Sequence, residues 1–238
     1  MLTQEIVPHV YQLSARGVNT ILIAEDKLTL IDTGFYGSST KIIEFIHSIG
    51  RSIHEISLII ITHNHFDHIG GLAEMRELTE AQVAAHRSGI IDIEEEMPHS
   101  GSIRKLLRIP FFSSMGRRFV LQLEDVDIQL EDGEVFEPLG GLKVVHTPGH
   151  TADSISLYSP QERLLIVGDA LVRRRRTLLF PHKIVSSDLP QAINSVKKMA
   201  ELDFDILCFG HGKPVNENAH AMVVALLEKS QVDNSHEG

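Results

Sequence analysis

The chain has 238 residues, 42% of them hydrophobic and 23% charged, with 22 Lys+Arg against 32 Asp+Glu for a net charge of −10. That composition excludes a wholly disordered chain, and the acidic balance argues against a protein that grips nucleic acid through a general basic surface. A single cysteine excludes an intramolecular disulfide framework and a cysteine-based zinc finger.

No run approaches the roughly 18 apolar residues of a membrane helix. The N-terminal MLTQEIVPHV lacks the basic-then-apolar order of a signal peptide, so the expected location is the cytoplasm, with no membrane partner. Histidine is the unusual residue, with 14 copies against three tyrosines and no tryptophan. It is the commonest metal ligand and the side chain that titrates nearest neutral pH.

Residues Val7 to Leu13, Val18 to Ala24 and Leu28 to Ile31 read as short strands separated by turn residues. Ser38 to Ile49 changes period: Ile42, Phe45, Ile46 and Ile49 recur at helical spacing and Gly50 supplies a stop. Glu55 to Ile61 is a buried strand that runs into THNHFDH. A helix over Leu72 to Leu78 and a strand over Gln82 to Ala85 follow.

Residues 87–125 are irregular, punctuated by Pro98, Gly101, Pro110 and Gly116, and read as a cap insertion. Strand signals resume at Val126 to Leu130, Leu142 to Val145, Ser154 to Tyr158 and Leu164 to Val167. Asp188 is a good N-cap for a helix with Leu189, Ile193, Val196 and Ala200 on one face. Ile206 to Phe209 is a strand, Asn216 to Lys229 a final helix, and 230–238 a polar tail. Residues 1–229 therefore read as one domain of layered α/β (α+β) type, in which strands-then-helix occurs twice.

His63, His65, Asp67 and His68 lie within six residues directly after a buried strand. On a helix, residues two apart point about 200° away from each other. In an extended segment they share a side, so a loop at a strand's end lets His63 and His65 converge, as a metal at roughly 2.0–2.2 Å from each ligand requires. His150, Asp169 and His211 each follow the end of another strand. Five histidines and two aspartates are too many ligands for one zinc ion and suit two.

The segments THNHFDHIGG (Thr62 to Gly71), HTPGHTADS (His146 to Ser154), VGDAL (Val167 to Leu171) and GHG (Gly210 to Gly212), with IDTG (Ile31 to Gly34), resemble the ordered motifs of the metallo-β-lactamase superfamily. The resemblance implies a four-layer αββα sandwich with a dinuclear metal site. It implies that His63, His65 and His150 bind the first metal, that Asp67, His68 and His211 bind the second, and that Asp169 bridges both. Every one of these positions matches.

The implied activity is hydrolysis of an ester, thioester or lactone of a small molecule by a metal-bridging hydroxide, with Asp67 and Asp169 as the catalytic carboxylates. Two divalent ions are the expected cofactors. Zinc suits the donors best, with iron or manganese as alternatives. A mononuclear iron persulfide-dioxygenase-like enzyme and a metal-free interaction module on the same fold are the competing readings. A homodimer is compatible with all of them, and a nucleic-acid partner is disfavoured by charge.

Other features read more plainly. Asp32-Thr33-Gly34 is a tight turn after a strand, with a role behind the metals as the alternative. His146 is a structural hydrogen-bonding residue and Cys208 is core. His86 and His182 are solvent-exposed, with a place behind the metals or in the pocket as the alternative. Arg173 to Arg176 is a solvated face, or a site for an anionic group of the substrate. Phe111, Phe112 and Met115 line a pocket under a substrate-selecting cap over Glu94 to Arg118, or they pack the core of the insertion, with a cap that lies on the surface or mediates dimerisation as the alternative.

Overall fold

In the computed structural model, which describes residues 2–90 and 121–236, the alternation of apolar side chains along each strand decides the layering. The first sheet has seven strands in sequence order: β1 (Leu2–Val7), β2 (Val10–Ala15), β3 (Val18–Ala24), β4 (Leu28–Ile31), β5 (Ile56–Ile61), β6 (Gln82–His86) and β7 (Ile128–Leu130). Leu22, Leu30, Ile59 and Ile61 face outward. There they bury Ile42 and Ile46 of α1 (Ser39–Ser48) and Leu72 and Met75 of α3 (Leu72–Leu78); the one-turn helix α2 (Phe66–Ile69) precedes α3. Ile21, Ile23, Ile31, Leu58 and Ile60 face the other way.

That inner face meets a second sheet of β8 (Val135–Phe136), β9 (Leu142–His146), β10 (Ile155–Ser159), β11 (Leu164–Ile166) and, after the separate hairpin of β12 (Val172–Arg174) and β13 (Thr177–Leu179), β14 (Ile206–Cys208). Leu142, Val144, Leu157 and Ile166 fill the space between the sheets. Val145, Tyr158, Leu165 and Leu207 point outward onto Val196 and Met199 of α4 (Leu189–Met199) and Val223 and Leu227 of α5 (Ala219–His236). Three cores between four layers make an αββα sandwich, because a strand with apolar residues on both faces must be covered twice. No helix among the described residues is long and apolar enough to cross a membrane.

Most expected elements stand within a residue or two of their predicted bounds. The exceptions have local causes. Val7 to Leu13 is not one strand: Pro8 and His9 turn the chain, His9 at φ +67, and make β1 and β2 an antiparallel pair. The two-residue β8 and the β12–β13 hairpin carry too few apolar residues to show a period. The last helix starts at Ala219 rather than Asn216 and continues to His236, past the predicted stop at Lys229. Of the predicted cap, residues 87–90 and 121–125 are described, with 3₁₀ turns at Arg87–Gly89 and Leu123–Asp125, and Glu94, Phe111, Phe112, Met115 and Arg118 lie outside the described residues.

Topology then sets where chemistry can assemble. β4 and β5 are parallel neighbours, with Ile31 beside Ile60, and β11 and β14 are parallel neighbours, with Ile166 beside Cys208. Their C-terminal ends, and that of β9, therefore emerge at one edge of the sandwich, where crevices in such sheets lie.

Leu157, fully buried between the two sheets, tests this packing. Leu157→Ala is expected to lower the unfolding free energy by about 2–5 kcal/mol, measured by urea denaturation.

Candidate metal centre

β5 ends at Ile61, the chain bends at Thr62 and runs irregularly to His65, which at φ −72 and ψ 144 caps the one-turn helix α2. His63 and His65 thus leave an irregular segment, while Asp67 and His68 leave the turn that follows. The His63 ring lies 4.8 Å from that of His65, 5.0 Å from His150 and 4.1 Å from His68.

The loop carrying His150 is clamped by the start of α4. Ser187 N and Asp188 N donate to the carbonyls of His150 and Gly149 at 3.0 and 2.9 Å, and Ser195 Oγ donates to Pro148 O at 2.6 Å. Gly149, at φ +131, has the backbone of Ala192 where a side chain would begin, so glycine is what lets the helix close on the loop. Gly210 serves the same end: a Cβ there would collide with Asp169 and His68.

All seven predicted ligands converge. His150 Nε2 and His65 Nδ1 are 2.9 Å apart. Asp169 Oδ2 lies 3.7 Å from His150 Nε2 and 3.2 Å from His211 Nε2, while its Oδ1 lies 3.7 Å from His68 Nε2. Asp67 Oδ2 is 3.3 Å from His211 Nε2 and 3.9 Å from His68 Nε2. Donor atoms tetrahedrally placed around a zinc-sized ion stand about 3.3–3.4 Å apart, which is the spacing these atoms scatter around. Among the described residues, three donor groups could each hold a cation: His63/His65/His150, His63/His68/Asp169 and Asp67/His68/His211.

The hydrogen bonds behind the cluster decide which nitrogens face it. Asp32, 2% exposed and at φ +59, accepts from Thr62 N at 2.8 Å and Thr62 Oγ1 at 2.7 Å, and meets His68 Nδ1 at 2.8 Å. Because the Thr62 hydroxyl donates to Asp32, it accepts from His63 Nδ1 at 3.0 Å. His211 Nδ1 donates to Gly17 O at 2.9 Å. With each Nδ1 engaged, the Nε2 atoms of His63 and His68 point into the cluster. They are buried and have no hydrogen-bond partner, as is Asp169 Oδ1. Orphaned buried acceptors beside one another are costly unless a cation serves them, so the donor set fits divalent ions.

The electrostatics agree. Burial, followed by the neighbouring imidazoles, holds His63 well below the usual histidine range. Burial brings His150 to about 4, with His65 and His68 opposing charge and Asp169 favouring it. The Asp169 hydrogen bond, then that of Asp67, pushes His211 up to about 10. Burial opposes ionisation of Asp169, but the His211 hydrogen bond and the charges of His68, His211 and His150 outweigh it and lower its pKa.

Asp32 is therefore more than the turn residue its tripeptide suggests: it orients one imidazole directly and a second through Thr62. Thr62 opens the THNHFDHIGG segment, but nothing in the sequence gave its hydroxyl a role, since a threonine after a strand is commonplace. Asp153 was also missed. It is 3% exposed, burial raises its pKa, and Gly89 packs where a side chain would strike it.

His146 is structural as expected: its Nε2 donates to Ala152 O at 2.9 Å, and its ring stacks on His86 at 3.9 Å. His86 is buried rather than solvent-exposed. His182 is exposed, and its Nδ1 accepts from Ile184 N at 3.2 Å. Cys208 is core, and burial pushes its thiol up to about 12. Arg173 bonds to the carbonyls of Lys213 and Pro214, while Arg174 to Arg176 stay exposed on the β12–β13 hairpin.

A model of the metallo-β-lactamase superfamily matches residues 13–211. Among curated proteins, the chain is 29% identical to a probable metallo-hydrolase of Bacillus subtilis, YflN, over 78% of this chain and 75% of that one. It is 29% identical to a hydroxyacylglutathione hydrolase of Rhodopseudomonas palustris over 64% of this chain, and this match spans 47% of that protein's length. Among solved structures, a metallo-β-lactamase family protein of Thermus thermophilus superimposes with a TM-score of 0.70 at 21% identity, covering 96% of this chain and 81% of that one. The chain belongs to the metallo-β-lactamase superfamily and shares its αββα fold.

Proposed function

We propose that the protein is a metal-dependent hydrolase of small esters, thioesters or lactones, with His63, His65 and His150 holding one divalent ion, Asp67, His68 and His211 a second, and Asp169 serving both. The observation that carries this reading is the position of Asp169, whose Oδ2 lies between His150 of the first donor set and His211 of the second, with Oδ1 beside His68. Five imidazoles and two carboxylates suit zinc, and iron and manganese accept the same donors. Such ions, when bound, supply Lewis acidity toward a carbonyl oxygen and a hydroxide nucleophile near neutral pH.

The chain's own residues supply the rest. His63 and His68 are almost fully buried and form the floor, while His65, Asp67 and His211 are partly exposed and form the mouth where a carbonyl can enter. Asp169 is the carboxylate placed to hold the attacking water, take its proton and pass it to the leaving group. Asp67, through His211, keeps the outer half of the mouth in place. The likeness to a hydroxyacylglutathione hydrolase supports a thioester within this class.

Metal analysis of protein purified without added metal is expected to give about two zinc ions per chain, the number the two donor sets call for. One iron would favour the dioxygenase reading, and none the interaction module. On a panel of thioesters, lactones, esters and β-lactams, Asp169→Asn is expected to lower kcat/KM by about 10²–10⁴-fold. Full activity in that variant would remove Asp169 from the reaction.

His65→Ala is expected to empty the first centre more than the second, and His68→Ala the reverse, as read by metal-resolved anomalous diffraction. Asp32→Ala is expected to weaken metal affinity by about 10–100-fold in competition with a chelator, as losing the partner of a ligand imidazole does.

A further inference from the structure

Behind His211, on the side away from the metal cluster, lies a cavity of about 660 Å³, within the size range of small-molecule sites. Its walls include Thr3, Gln12, Ser14, Arg16, Lys41 and Lys213. The whole chain carries ten more acidic than basic residues, yet this cavity is lined by three cations and no carboxylate. Among the described residues, none of Arg16, Lys41 and Lys213 forms an ion pair. A concave wall of one sign focuses its field on whatever enters.

The floor is built rather than incidental. Gln12 and Asn19 are 4% and 3% exposed. Gln12 Nε2 donates to Gly212 O at 2.9 Å, and Asn19 Nδ2 donates to the carbonyls of Phe209 and Gly212 at 2.8 Å. These bonds fasten the floor to the segment that carries His211. Arg16 reaches the rim from a two-residue hairpin in which it and Gly17 stand at φ +57 and +88. Asparagine or glycine suits that backbone better than arginine, so the turn accepts strain to place a guanidinium there.

We infer that this cavity is a binding site for a small molecule bearing a carboxylate or phosphate group, back to back with the metal centre across His211. Arg16 offers the planar fork that pairs with either anion, and Lys41 and Lys213 supply point charges around it. The anion has two sources, the far end of the substrate or a separate effector. An occupant of either kind would bear on His211, because Gly17, whose carbonyl accepts from His211 Nδ1, also lines the cavity.

The test does not depend on catalysis. Metal-loaded, isotopically labelled protein is titrated with inorganic phosphate, and separately with succinate, while the amide resonances of Thr3, Gln4, Gln12 and Ser14 are followed. These residues belong to β1 and β2, away from the metal ligands. The expected result is saturable shifts at these amides, at least tenfold weaker in the Arg16→Gln/Lys41→Gln/Lys213→Gln variant with metal content unchanged. Absence of shifts, or equal shifts in the variant, would overturn the site, and phosphate held only at the metals would leave these amides still.

Arg16→Asn provides an independent readout, with affinity falling several-fold while Tm rises. A purely structural Arg16 would lower Tm and leave affinity alone. Once an active substrate is in hand, a loss of kcat/KM in the triple variant confined to acidic substrates identifies the substrate's own far end. Unchanged ratios with lost phosphate binding identify a separate effector. A protein that hydrolyses nothing on the panel yet passes the titration keeps the site and loses only the hydrolase reading.

Discussion

A carboxylate buried to 2% exposure must be satisfied by its neighbours, and the way Asp32 is satisfied organises this protein. Its two oxygens take the Thr62 amide, the Thr62 hydroxyl and the Nδ1 proton of His68. The amide bond fixes the end of β5 against the end of β4, and the hydroxyl passes the constraint on to His63. One charge thereby joins two parallel strands and selects the tautomers of two imidazoles. The positive φ of Asp32 belongs to the same arrangement, because only a sharp exit from β4 turns the carboxylate toward Thr62.

The cluster that results is poorly suited to an empty protein. Packed imidazoles oppose one another's protonation, and burial opposes it again, which is why His63 and His150 are held low. Without a cation, Asp169 and Asp67 favour a proton on His211, and on His68 the carboxylates, Asp32 first, outweigh burial. A bound divalent ion exchanges these conflicts for coordination, so part of its binding energy becomes stability of the strand ends that carry the ligands. The three apolar cores need no such help. They hold the sandwich through Leu157, Ile60 and their neighbours, and the site sits at their edge as a strained region supported by packing elsewhere.

What could be read from the chain follows the same division. Strands buried on both faces, such as Val18–Ala24 and Leu28–Ile31, were legible to the residue because each is a short run rich in β-branched and apolar residues that ends at turn residues. The β12–β13 hairpin was not, since a basic run at the surface has no period to read. Within the site, HNHFDH was legible because so many imidazole and carboxylate groups within six residues of a buried strand are rare unless they are paired or share a metal. Thr62 and Asp32 were harder, since a turn aspartate and a threonine are individually ordinary, and their roles arise only when β4 and β5 lie side by side. His86 misled for a similar reason: its burial comes from stacking on His146, four residues before His150 and far from His86 in sequence.

The division also explains why the reaction class is easier to infer than the substrate. The candidate metal ligands follow the ends of buried strands, where topology leaves little choice, and in the proposed reaction they define what is done to a carbonyl. Selectivity depends on rims, and rims are built from residues under no packing constraint. Arg16 illustrates the difference. Its backbone conformation is one that arginine tolerates poorly, no core residue depends on its side chain, and its charge opposes the sign of the whole molecule. A hairpin tip joined by a single carbonyl to a candidate metal ligand is free to vary in side chain while still bearing on the reaction. This allows one set of metal ligands to act on different substrates without any change to the sheets that hold it.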